Sequence, residues 1–227
     1  MHINSSLYNA EIIHEPWPHV VIDDFFTEET WKKLSQIPEY ILDPLANQFL
    51  TDRVNNAREK TRGGNVFSLE DLLLSGVPED IVECYWDACA EILENKETIY
   101  GQFPKHKPDN NSLMKPCLNL DFKGNWYEPH PDSKAKLISL VCYLDPVESE
   151  GTSLHTNQHQ DSLVKTVDWK PNRCVVFCPG RDTWHSFTCP SEHRLVLAIF
   201  VELDTGDKLE NHLNFSSGKT ATFWSEY

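Results

Sequence analysis

Thr183-Trp184-His185-Ser186-Phe187-Thr188-Cys189-Pro190-Ser191-Glu192-His193-Arg194-Leu195-Val196-Leu197-Ala198-Ile199-Phe200-Val201-Glu202 holds two β-rich runs on either side of a proline turn. The first run contains one histidine, His185. The second is apolar from Leu195 to Val201 and opens on Arg194, nine residues after His185. A guanidinium beside so apolar a strand must find an anion, and a planar carboxylate is its best bidentate partner. An ordinary ion pair with Glu192 or Glu202 is the plainer alternative.

Comparable runs precede it at 115–122, 137–144 and 173–178, with a shorter segment near Thr152–Leu154. Pro146 to Gly151, Pro179-Gly180-Arg181-Asp182 and Pro190-Ser191-Glu192 supply turns between them. The N-terminal half reads differently. Pro18–Phe26 is a β-branched run, followed by Thr27 as an N-cap with Glu28 and Glu29 in the first turn of a helix. Ser68-x-x-Asp71 predicts a capping box on a short helix ending at Leu74. Pro78 then opens a longer helix, where Ile81, Cys84, Tyr85, Ala88 and Ile92 form one apolar stripe ending near Tyr100-Gly101. Asp43 to Phe67, with Arg62-Gly63-Gly64, reads as a loop or insertion, and Phe103–Asn111 as another loop. Helices first and an antiparallel β unit after them predict an α+β protein built around a sandwich or barrel. The expectation is one domain over 1–227: N-terminal strand, helices and insertion at 1–111, a β-barrel core at 112–203 and a C-terminal extension at 204–227.

The chain has 227 residues, 40% of them hydrophobic, so it can bury a single core. Its net charge of −15 repels phosphate backbones, and no nucleic-acid partner is expected. No apolar run reaches the roughly 18–20 residues that cross a bilayer, so no membrane partner is expected either. Met1-His2-Ile3-Asn4-Ser5-Ser6 lacks the features of a signal peptide, which predicts a cytoplasmic protein. The seven cysteines show no Cys-x-x-Cys spacing and read as reduced, buried small hydrophobes.

Two places read His-x-Asp: His130-Pro131-Asp132 and His159-Gln160-Asp161. About 0.7 such matches are expected by chance at this composition, so position has to decide between them. On extended backbone, residues i and i+2 share a face and can grip one ion. His130 and Asp132 have a third ligand available in His185, 53 residues beyond Asp132, with enough β structure between to bring it back. Two histidines and a carboxylate leave open positions on a metal, as iron(II) oxygen chemistry requires. His159 and Asp161 lie in a stretch that is polar throughout and read as a solvated loop.

With these residues in order, the chain resembles the iron(II)- and 2-oxoglutarate-dependent dioxygenases, within the prolyl-hydroxylase-like group. Over 112–203, His130-x-Asp132, His185 and Arg194 match the metal triad and cosubstrate arginine of that family. Tyr143-Leu144-Asp145-Pro146, Glu150-Gly151-Thr152-Ser153-Leu154 and Lys170-Pro171-Asn172-Arg173 are similar to its flanking motifs, and Pro18–Leu34 to its N-terminal strand and helix. The resemblance implies a double-stranded β-helix (a jelly-roll or cupin-like barrel) with N-terminal helices packed against it. It also implies Fe(II) held by His130, Asp132 and His185, and 2-oxoglutarate anchored by Arg194. O2 would complete the reactants, with succinate, CO2 and a hydroxylated product released. Tyr143 matches a tyrosine that assists the arginine, though a core tyrosine is an equal reading. Val196 stands where some relatives carry serine, and Glu150-Gly151 has one of the usual two glycines. The substrate, a small molecule or a protein segment, and the oligomeric state are not legible. Residues 38–110, where substrate choice is expected, have no match.

Other signals carry less. Ser217-Gly218-Lys219-Thr220 lacks the upstream glycine of a phosphate-binding loop, since position 213 is Leu. His155-x-x-x-His159 lacks both the glutamate and the helical periodicity of a zinc motif. Trp126 and Trp184 either wall a pocket or pack in the core. The alternative to an enzyme is a non-catalytic barrel that holds a metal or a small anion.

Overall fold

A computed structural model describes residues 1–42, 54–55, 59, 62–63, 65–103, 112–204 and 210–224. A six-stranded sheet runs in the order β1 (His19–Ile22), β8 (Cys174–Phe177), β5 (Lys136–Asp145), β10 (His193–Leu203), β3 (Ser112–Phe122) and β2 (Asn65–Phe67). A four-stranded sheet runs β4 (Trp126–His130), β9 (Trp184–Thr188), β6 (Ser153–His155) and β7 (Leu163–Thr166). Neighbours in both sheets are antiparallel. The sheets meet face to face through Tyr143, Leu154, Val175, Phe177 and Val196, giving the jelly-roll core that the sequence predicts.

Among the described residues, the helices α1 (Glu28–Leu34), α2 (Ile37–Ile41), α3 (Leu69–Leu74), α4 (Glu79–Glu94) and α5 (Lys96–Gly101) belong to the layer on the other side of the large sheet. Ile81, Cys84, Tyr85, Ala88 and Ile92 of α4 are all buried, as their spacing predicts. Each large aliphatic side chain so placed contributes roughly 1.5–3 kcal/mol, so packing rather than propensity holds the helix. The Tyr85 hydroxyl reaches the carbonyls of Cys117 and Ala198, each at 3.1 Å, tying α4 to β3 and β10.

The large sheet is therefore buried on both faces, which explains why β10 is apolar from Leu195 to Val201. Leu195, Leu197, Ile199 and Val201 join the helix-side core, while Arg194, Val196, Ala198 and Phe200 alternate with them and line a cavity between the sheets. On β3, Leu118 and Leu120 take the helix side, and Asn119 and Asp121 line the cavity.

The structure corrects several expectations. The helix that opens at Pro78 ends at Glu94, not near Gly101. Asn95 interrupts it, its side-chain amide donating to the Glu91 carbonyl at 2.8 Å, and α5 follows as a separate helix. Thr27 stands at the α1 N-cap without capping it, because its hydroxyl donates to Thr30 Oγ1 at 3.1 Å instead. The capping box at Ser68 and Asp71 forms in both directions. The presumed loop at 43–67 ends in β2, an edge strand on β3, while 43–53 lie outside the described residues. Of the loop at 103–111, only Phe103 is described, and it is buried. β4 escaped notice because Trp126-Tyr127-Glu128-Pro129-His130 is polar and carries a proline, both tolerated on a sheet edge. β11 (Glu210–Asn214) and β12 (Thr220–Trp224) pair as a hairpin, with Gly218 at φ 81° in the turn. All seven cysteines are buried and free. Among the described residues, no helix is long and apolar enough to cross a membrane.

Candidate metal centre and its cavity

His130 ends β4, Asp132 follows two residues later and His185 lies on β9. β4 and β9 are neighbours, and His130 and His185 are register partners. One ligand atom from each of His130, Asp132 and His185 lies within 4.8 Å of the others. Among the described residues this is the one such cluster of three or more His, Cys, Asp or Glu side chains.

Backbone contacts decide which nitrogen of each imidazole stays free. His130 Nδ1 lies 2.9 Å from the Glu128 carbonyl, and His185 Nδ1 lies 3.0 Å from the Thr183 carbonyl. A carbonyl only accepts, so each Nδ1 carries the proton and each Nε2 keeps a free lone pair. Burial, then His185, pulls the His130 pKa down to about 4, and burial also lowers His185. Both rings are neutral at pH 7, the form that binds a metal. Burial works to raise Asp132, but His185, Lys136 and Ser139 outweigh it and hold the carboxyl below its ordinary value. Two neutral imidazoles and one carboxylate suit iron(II).

Asp132 has company that sequence reading missed. Lys136 Nζ donates to Oδ1 at 2.7 Å and Ser139 Oγ donates to Oδ2 at 2.6 Å. The lysine is the i+4 neighbour of Asp132, a spacing that could have been noticed.

His130, Asp132 and His185 line a cavity of about 250 Å³. Tyr127, Val141, Val196, Ala198 and Phe200 give it apolar walls, and Gly63 and Val66 stand beside them. Arg194 lines the same cavity and is itself only 3% exposed. Its partner is neither Glu192 nor Glu202. Arg194 Nη1 donates to Asp121 Oδ2 at 3.3 Å and Nε donates to the Glu150 carbonyl at 3.3 Å. The guanidinium carbon lies 4.6 Å from the Phe187 ring centre and 5.4 Å from that of Trp169. Asp121 was legible in principle, since Asn119 and Asp121 are polar alternates in the otherwise apolar run 116–122.

Tyr143 lies behind this corner, with its ring stacked on Trp169 at 4.5 Å. Its hydroxyl donates to Thr152 Oγ1 at 3.0 Å and accepts from the Thr152 backbone N–H at 2.7 Å. Thr152, not Tyr143, lines the cavity. His159 and Asp161 are exposed around a short 3-10 turn, Gln160–Ser162, and line no part of the cavity. His155 is buried on β6, with Nε2 2.8 Å from Ser186 Oγ. Trp126 is 39% exposed and Trp184 half-buried, and neither lines the cavity. Lys219 of the discounted phosphate-loop motif pairs with Asp87 and Glu83 on α4.

No protein-family model matches the chain, and no curated protein matches it. Solved structures do. A prolyl-4-hydroxylase from Pseudomonas putida is 14% identical, with a TM-score of 0.53 over 82% of this chain and 92% of that one. The viral collagen prolyl hydroxylase of Paramecium bursaria Chlorella virus-1, solved as a 2-oxoglutarate complex, is 13% identical, with a TM-score of 0.50 over 82% and 96%. A prolyl hydroxylase in complex with a hypoxia-inducible-factor peptide fragment, from Trichoplax adhaerens, is 12% identical, with a TM-score of 0.53 over 82% and 84%. The chain has the fold of these prolyl hydroxylases.

Proposed function

We propose that the chain is a cytoplasmic iron(II)- and 2-oxoglutarate-dependent oxygenase that hydroxylates a small molecule or protein segment and releases succinate and CO2. The observation that carries this reading is one cavity lined by both His130, Asp132 and His185 and a buried arginine. A bare metal site has no use for Arg194, whereas a dicarboxylate cosubstrate needs one end at the metal and the other at a cation. Iron held by the three ligands would supply oxygen activation and oxidative decarboxylation of the 2-oxo acid.

The chain's own residues do the rest. The Glu128 and Thr183 carbonyls fix the imidazoles, and Ser139 holds one oxygen of Asp132. Arg194 orients the far carboxylate between Phe187 and Trp169. Tyr143 acts as a positioning residue for that corner through Thr152. Val141, Val196, Ala198 and Phe200 exclude water.

The test is succinate release from 2-oxoglutarate by the iron-loaded protein in air, with and without candidate substrates. Succinate that disappears in Asp132→Ala and His185→Ala supports the reading. Tight metal binding with no succinate under any condition overturns it in favour of a non-catalytic binding module. That second reading draws on two ion pairs: Lys136 already pairs with Asp132, and Asp121 with Arg194.

A further inference from the structure

Arg194 and Asp121 are direct register partners on β10 and β3, and they are 3% and 1% exposed. Their hydrogen bond, at 3.3 Å, is long for a charge-assisted contact, which normally spans about 2.7–2.9 Å. Asp121 Oδ1 is buried and has no hydrogen-bond partner, although both residues line the cavity. An anchor for a carboxylate thus holds a second carboxylate beside it. A cosubstrate seating its far end on Arg194 would set two anions against one guanidinium in a water-poor corner. Asp121 is buried at the inner end of that corner: its strand pairs with β10 through Arg194, and β2 covers the adjoining Leu118–Leu120.

We propose that Asp121 is a further cosubstrate-binding residue: it takes up a proton from solvent when a dicarboxylate seats on Arg194, and donates that proton as a hydrogen bond to the bound carboxylate. The corner then carries one anion and one cation, and the orphaned side of Asp121 gains a partner. This rests on the oxygenase reading and adds a proton to its binding step. The surroundings agree. Burial raises the Asp121 pKa, and Arg194 is the group that pulls it down, so sharing Arg194 with a second anion raises it further. From the turn after β9, Cys189 is a thiol held protonated by burial. On the cavity side the other titratable groups are Tyr127, His130, His185 and the Lys136–Asp132 pair, whose members are engaged with each other. Glu150 offers Arg194 only its backbone carbonyl.

The experiment is calorimetric titration of the manganese-loaded protein with N-oxalylglycine, an unreactive dicarboxylate mimic, in buffers of different ionisation enthalpy from pH 6 to 8. The expected result is uptake of about one proton per ligand, with affinity falling up to about tenfold per pH unit. Oxalate, which lacks a far carboxylate, is expected to bind without that proton. Asp121→Asn, a permanent donor, should flatten the pH dependence and bind N-oxalylglycine more tightly than the wild type at pH 8. Wild-type binding without proton uptake overturns the proposal and leaves the oxygenase reading standing. Equal uptake with oxalate also overturns it, by locating the proton elsewhere. Manganese binding with no affinity for N-oxalylglycine at any pH overturns both. The wild-type measurement decides the matter even if Asp121→Asn fails to fold.

Discussion

His130 and His185 face each other across the β4–β9 ladder as register partners, with ring centres 4.4 Å apart. A single antiparallel pairing thus brings together two residues far apart in sequence. Both rings are oriented by carbonyls of their own chain segments, and Phe177 packs edge-on against His185 at 5.1 Å. The convergence of the two rings is built into the sheet itself.

Removing either ring should therefore abolish tight metal binding. Changes to groups that merely orient ligands cost 10–100-fold in affinity, so His130→Ala or His185→Ala should cost at least about a hundredfold. His159→Ala, on the exposed turn, should change nothing. Manganese titration followed by electron paramagnetic resonance separates the two outcomes, and a large loss in His159→Ala would mean the wrong pair was chosen.

Lys136 competes with any cation for Asp132 Oδ1. Lys136→Met keeps an unbranched side chain of similar length beside the Phe200 ring, over which the ammonium sits at 3.5 Å, and removes the charge. Manganese affinity should rise about tenfold, equivalent to about 1.4 kcal/mol. A fall would show instead that the lysine holds the carboxylate in its binding orientation.

The Arg194–Asp121 pair should be costly to break and cheap to replace. Arg194→Met strips the buried Asp121 of its cation, so that it must either stay charged and uncompensated or be protonated, and should lose roughly 3–5 kcal/mol in urea unfolding at pH 8. Adding Asp121→Leu should recover most of that loss. A double variant no more stable than the single one contradicts this account of the corner.

Gly151 has no room for a side chain. A Cβ there would sit 1.9 Å from the Val167 carbonyl oxygen and 2.8 Å from the Tyr143 hydroxyl. Gly151→Ala must push the Val167 backbone aside, at a cost of roughly 1–3 kcal/mol, and should weaken cosubstrate binding through Thr152. A melting temperature equal to wild type would sink this prediction.

Asp23 predicts an acid limb in stability. Its hydrogen bond to Arg173, with Lys170 contributing, lowers its pKa from 3.8 to about 2. A depressed carboxyl pKa gives stability that is fully present above about 3.8 and lost as pH falls through about 2. Asp23→Asn should melt below wild type at pH 6, and the two curves should converge near pH 2. The carboxylate is 43% exposed, so added salt should shrink the difference as well.

Local patterns carried much of this in the sequence. The α4 stripe, the Ser68–Asp71 box and the apolar runs of β5, β8 and β10 are short-range signals, because side-chain periodicity follows directly from backbone geometry. The spacing of His130, Asp132, His185 and Arg194 also pointed to one site, since β structure between them allows a return. Tertiary structure alone decided which groups those residues meet. Asp121 reaches Arg194 only through the β3–β10 register, and His185 meets His130 only through the β4–β9 ladder. The same holds for β2 and β4, too short or too polar to announce themselves, which form because a neighbouring strand offers its open hydrogen bonds. Periodicity is a property of the chain, whereas register and charge pairing are properties of strands brought together from distant parts of it.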